Sequence, residues 1–152
     1  MNYEVKKCYG HEQGLSVCFR QHRAASHCHL LHGYAIAVEI TFTSDTLDRN
    51  GWVIDFGSLK PIKQFLTDTF DHKLLVAQDD PQIDELCALG GLGLADVLVI
   101  PRIGCEAFAA LIFRFVEQFL VETNQSNRVG IVQVEVKEHA GNSASFFGDY
   151  HG

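Results

Sequence analysis

One stretch constrains the fold more than any other. YAIAVEITF, residues 34 to 42, alternates without a break: Tyr34, Ile36, Val38, Ile40 and Phe42 fall on one side, Ala35, Ala37, Glu39 and Thr41 on the other. Successive side chains of a β-strand point to opposite faces, so a period of two means a strand with one apolar face that has to be covered. Two segments with the helical period supply the cover. Ser58 is placed to cap a helix whose first turn accepts Pro61, and from there to Asp71 the residues Leu59, Ile62, Phe65, Leu66 and Phe70 recur at spacings of three and four. From Cys105 to Glu122, Phe108, Leu111, Ile112, Phe115, Val116, Phe119 and Leu120 do the same. Shorter strand patterns lie at 15–21 (LSVCFRQ), 52–56 (WVIDF) and 95–100 (ADVLVI), and a last one in VGIVQVEVKEH, where Val132, Val134 and Val136 alternate with Gln133, Glu135 and Lys137. IDELCAL reads as a short helix. The order β-β-(β)-α-(β)-α-β predicts an α+β architecture: hairpin-joined strands, two helices over one face, and exposed edges that invite association between copies.

A chain of 152 residues is the size of one domain, taken here as 1–152. No run of apolar residues is long enough for a membrane span, and the first 20 residues lack the apolar core and small-residue cleavage site of a secretory signal, so a cytoplasmic protein is expected. Five cysteines without a CxxC pair read as free thiols. A net charge of −7, with no basic stripe, disfavours a nucleic-acid surface and leaves a small molecule as the expected partner.

Polar chemistry is concentrated just before the long strand. SHCHLLHGY places His27, Cys28, His29 and His32 within six residues. Imidazoles and a thiol are ligands suited to Zn²⁺, and a catalytic zinc takes three protein ligands while leaving a position open. His27 is in strand phase with Phe19, and His32 with Tyr34, so adjacent strands are able to converge these two on one ion, whereas His22 is out of phase. Asp71 beside His72 pairs a carboxylate with an imidazole whose tautomer it is able to fix. Glu138 ends the last strand in phase with Val132, Val134 and Val136, where a carboxylate is able to accept paired N–H donors from a planar heterocycle. Arg20, His22 and Arg23 are candidate phosphate contacts.

These pieces together, C-x-x-x-H-G at 28–33, GWVIDFGSLK at 51–60, DHK at 71–73, Gly-Cys-Glu at 104–106 and VKE at 136–138, resemble the 6-pyruvoyltetrahydropterin and 6-carboxytetrahydropterin synthases. The match runs in order from about residue 15 to residue 140. The resemblance implies the tunnelling fold, an antiparallel four-stranded sheet with two helices on one side, assembled into rings as a homohexamer with active sites between subunits. It implies a zinc held by three histidines and a catalytic cysteine working with an Asp-His pair.

Carried over position by position, Cys28 matches the catalytic cysteine, Asp71 and His72 the acid-base pair, and Glu138 the pterin anchor, with Glu106 a further substrate contact. His32 matches the first histidine of the family's H-G-H pair. The second is Tyr34 here. His27, in RAASH, is the best match to the remaining ligand, and His22, His29 and Tyr34 stay open as the third. The activity implied is a zinc-dependent lyase that converts 7,8-dihydroneopterin triphosphate to 6-carboxy-5,6,7,8-tetrahydropterin with loss of triphosphate, on the route to deazapurines such as queuosine. The alternatives are 6-pyruvoyltetrahydropterin as product, or a pterin- or metal-binding protein without turnover.

Overall fold

The computed structural model describes residues 2–148. The alternating segment is the spine of the sheet, extended at both ends into β3 (His32–Ser44). Its first part pairs antiparallel with β2 (Leu15–Phe19), from Leu15 opposite Ile36 to Phe19 opposite His32. Its second part lies between β1 (Tyr3–Tyr9) and β6 (Gly130–His139), both antiparallel to it, and β6 turns back into β7 (Asn142–Phe147). On the far side β2 runs parallel to β4 (Lys73–Ala77), and β4 parallel to β5 (Asp96–Ile100). The sheet therefore has seven strands in the order β5-β4-β2-β3-β6-β7, with β1 also on β3. It is mixed and larger than the four antiparallel strands expected, because β1, β4 and β7 join it.

Two helices cover the apolar face of β3, as the patterning predicts. α1 (Lys60–Phe70) buries Ile62, Leu66 and Phe70, and α3 (Cys105–Glu122) buries Phe108, Ala109, Ile112, Phe113, Val116, Phe119 and Leu120. Phe108 bridges the layers, meeting Phe19 of β2 and Phe70 of α1, each with ring centroids 5.3 Å apart. Each such ring taken out of water contributes about 1.5–3 kcal/mol. A third helix, α2 (Ile83–Gly91), holds the segment IDELCAL. It packs on the other face, where its Leu89 shares a cavity of about 380 Å³ with Cys18, Gly33 and Leu74.

Two local expectations are corrected. WVIDF is not a strand: Asp48 accepts hydrogen bonds from the backbone N–H of Asn50 and Trp52, closing a turn that tucks Val53 and Ile54 into the core. A short 3-10 turn, Phe56–Leu59, then leads into α1, and its cap is Asp55, which accepts from Gly57 N at 2.8 Å, while Ser58 Oγ donates to Asp55 O. Among the described residues no helix is long and apolar enough to cross a membrane.

Candidate active site

Residues 20–31 leave β2 and return as β3, and Arg20 anchors their base. It donates through Nε to Asp80 Oδ2 (2.9 Å) and through Nη2 to Asp80 Oδ1 (2.7 Å), while Asp80 is buried. The guanidinium holds the Asp80 carboxyl below the usual carboxylate range. Leaving one partner of such a pair buried alone costs about 3–5 kcal/mol. Arg20 is therefore committed to the fold and is not free to contact phosphate.

The loop closes where Gln21 N donates to Cys28 O (2.9 Å). Ser26 caps a turn over His27–His29 by accepting from Cys28 N. His29 Nδ1 lies 2.6 Å from Ser26 O and His32 Nδ1 2.7 Å from Leu30 O, so each ring donates to a backbone carbonyl and keeps Nε2 outward. Gly33 follows because no other residue fits: a Cβ there would stand 2.6 Å from Val17 O on β2.

On the apolar side of the sheet a ring wall runs along β2, β3 and β6. His32 lies between Phe19 (5.1 Å between centroids) and Tyr34 (5.5 Å, edge-on), and Tyr34 faces His139 at 6.4 Å. Around Tyr34 gather Glu138, Cys28 and Cys105. Partial burial raises the Tyr34 phenol, and the Glu138 carboxylate raises it further, so it stands as a neutral O–H donor at physiological pH. Cys105, the first residue of α3, lies beside the Glu138 carboxylate, and burial first, then the negative charge of Glu138 and Glu106, push that thiol up to about 12. Gly104 before it has φ +124°, a conformation that favours glycine and turns the chain into α3 at this spot. The grouping of a carboxylate, two thiols and a phenol against a ring wall suits a flat heterocycle with adjacent N–H donors. Cys105 as a member of the site escapes sequence reading, and Tyr34 enters there only as a candidate third metal ligand. The signal for Cys105 is its place inside Gly-Cys-Glu.

Asp71 and His72 come together elsewhere. Asp71 Oδ1 lies 2.8 Å from His72 Nδ1 and also accepts from Ser16 N, and His72 N donates to Ser16 O at 2.6 Å with φ +58°. The His72 ring is largely exposed and lines the cavity on the α2 side with Ser16, Cys18 and Gly33, whereas Cys28 and Glu138 do not line it. Within one chain the expected catalytic set is thus divided between two places. Glu106 is exposed in the first turn of α3, with its carboxylate over Gly104, and faces a third cavity.

The donor set does not match a three-histidine zinc site. Among the described residues no three His, Cys, Asp or Glu side chains come together to hold an ion. His32 offers Nε2, His27 is exposed on the turn, and two residues along β3 stands a phenol that burial and the Glu138 carboxylate keep protonated. A protonated phenol is a poor zinc ligand.

A model of the family described as 6-pyruvoyl tetrahydropterin synthase matches residues 10–149. A 6-carboxy-5,6,7,8-tetrahydropterin synthase of Aquifex aeolicus (strain VF5) is 27% identical over 161 residues, covering 96% of this chain and 98% of the relative. Among solved structures, an uncharacterized protein from Wolinella succinogenes superposes with a TM-score of 0.80 at 18% identity, covering 97% of this chain and 98% of that one. The 6-pyruvoyltetrahydropterin synthase of Plasmodium vivax does so with a TM-score of 0.64 at 15% identity, covering 95% and 96%. At these identities the solved structures establish the fold, the α+β tunnelling fold.

Proposed function

The chain belongs to the 6-pyruvoyl tetrahydropterin synthase family of enzymes, and from that premise we propose that it is a lyase that converts 7,8-dihydroneopterin triphosphate to 6-carboxy-5,6,7,8-tetrahydropterin, a step toward deazapurines such as queuosine. The observation that carries this reading is the convergence of Glu138, Cys28 and Tyr34 on the ring-lined side of the sheet.

Each residue then has a task. The Glu138 carboxylate accepts two N–H donors from the pyrimidine half of the pterin, a charge-assisted pair worth about 1.5–3 kcal/mol per bond. Phe19, His32 and Tyr34 flank the flat ring. Cys28, as the thiolate, takes a proton from the substrate side chain, and the electron pair left behind forms the double bond that expels triphosphate as its C–O bond breaks. Water then adds to the side-chain carbonyl next to the ring, and the C–C bond beyond it breaks so that the two outer carbons leave as a two-carbon aldehyde and the carboxylate remains. A positioned base of this kind contributes on the order of 10²- to 10⁴-fold. Asp71 and His72 complete the acid-base chemistry from a neighbouring copy in a homohexamer, since in their own chain they open away from Cys28. No step is derived through zinc, because the donors present do not make its site.

A second reading has an observation in its favour. The separation of Cys28 from Asp71 and His72, with no three-donor set for a metal among the described residues, also suits a pterin-binding protein without turnover. The same substrate and residues also serve 6-pyruvoyltetrahydropterin formation. Incubating the protein with 7,8-dihydroneopterin triphosphate and separating the pterin products by chromatography distinguishes all three.

A further inference from the structure

A second cavity lies apart from the ring-lined site. It measures about 790 Å³ and opens between the turn after β4, the connection from β5 to α3, and one face of α3. Its walls carry His22, Arg23, Arg102 and Arg114. We infer that this cleft is a binding site for a polyphosphate chain, with Arg102 and Arg114 as its two principal contacts. That the chain belongs to a pterin triphosphate rests on the reading above. The cleft itself does not.

Of the other arginines, Arg49 does not line the cleft and three are already occupied. Arg20 is held by Asp80, Arg23 by Asp79, and Arg128 by Ser44, Thr46 and the Val53 carbonyl. Arg102 makes no hydrogen bond or ion pair among the described residues, and Arg114 only rests its guanidinium 5.7 Å over the Phe146 ring. In a chain of net charge −7, two uncommitted guanidinium groups facing one cavity are a concentration of positive charge that the fold does not use. Two carboxylates share the cleft. Asp79 is offset by His22 and Arg23, and Glu106 turns back over Gly104.

The shape argues for more than one phosphate group. Ala107, Ala110 and Arg114 recur on one face of α3, so two methyl groups leave the floor open and a guanidinium stands at its far end. Ala107 and Arg114 are about 10 Å apart along the helix axis at 1.5 Å per residue. Arg102 sits in the connection that precedes the same helix. A single phosphate is too short to satisfy both ends, whereas a chain of phosphates presents bidentate acceptors to each planar guanidinium. The cleft also adjoins the ring-lined site. Gln21 lines it while its backbone N–H holds Cys28 O and its side chain donates to Ile103 O (3.3 Å). Glu106 lines it next to Cys105, whose thiol lies beside Glu138.

Calorimetric titration of the intact protein with inorganic tripolyphosphate, and separately with neopterin, which carries no phosphate, tests the inference. Tripolyphosphate is expected to bind, roughly tenfold or more weakly in Arg102→Gln and in Arg114→Gln, more weakly still in the double variant and at higher salt, and unchanged in Arg49→Gln. Neopterin binding is expected to be the same in all of these variants. Absence of tripolyphosphate binding, or equal losses in Arg49→Gln, would overturn the cleft while leaving neopterin binding, and with it the pterin reading, intact. Tripolyphosphate binding that depends on Arg102 and Arg114 in a protein that ignores neopterin would keep the cleft and remove the pterin reading.

Discussion

Cys105 at the N-terminus of α3 lies beside Glu138 at the end of β6, close enough for the carboxylate to push its thiol upward, and Glu138 is the group proposed to anchor the pterin. Glu138→Gln keeps the shape but removes the charged acceptor, and neopterin binding is expected to weaken by about 1.5–3 kcal/mol. Cys105→Ala leaves the charge and loosens its aim, so the expected loss is smaller. Calorimetry on the two variants orders them, and a larger loss in Cys105→Ala would contradict the assignment of Glu138.

The same contact predicts how stability responds to alkali. Cys105 has a folded pKa of about 12 against an ordinary 9.0, and Tyr9 about 12 against 10.0, both from burial. The folded state therefore holds these protons where the unfolded chain releases them. Their contribution is fully present below about pH 9 and is lost as pH rises toward 12. Denaturant unfolding across that window should show falling stability, with a shallower fall from pH 9 to 10 in Cys105→Ala.

Much of this was legible in the sequence. Alternation in YAIAVEITF and the periodic apolar residues of 105–122 mark β3 and α3 because each has one clean apolar face. β4 and β7 leave no alternating pattern, for opposite reasons. KLLVA is buried on both faces and shows no alternation, while NSASFF is a short edge with little apolar signal. β1 is an edge strand whose lysines mask its period. In the site, Cys28 and Glu138 were visible as residue types in sequence order. That Arg20 is bound to Asp80, that Tyr34 is held neutral and that Asp71 and His72 face away all depend on contacts across tens of residues. No local pattern encodes those.

Tyr34 bears on the metal question directly. With a protonated phenol beside His32, the purified protein is expected to hold less than one zinc per chain by elemental analysis when no chelator is used. Tyr34→His places a second imidazole two residues from His32 on the same strand face, and zinc content should rise. A full equivalent of zinc in the unaltered protein, lost in His32→Ala, would show that three donors do assemble.

If Asp71 and His72 serve a neighbouring copy, two inactive variants should repair each other. Cys28→Ala and His72→Ala, each without turnover, are expected to regain activity when unfolded together and refolded as mixed oligomers, and sedimentation should show six chains. No recovery in mixed oligomers, or a monomer at micromolar concentration, would remove His72 from the chemistry.

The most direct test of the account is turnover itself. 7,8-Dihydroneopterin triphosphate is incubated with the unaltered protein and with Cys28→Ala, and the pterin products are separated by chromatography. The account predicts 6-carboxy-5,6,7,8-tetrahydropterin and released triphosphate from the first, and neopterin binding without product from the second. Unchanged substrate in both, or equal turnover by Cys28→Ala, would contradict it.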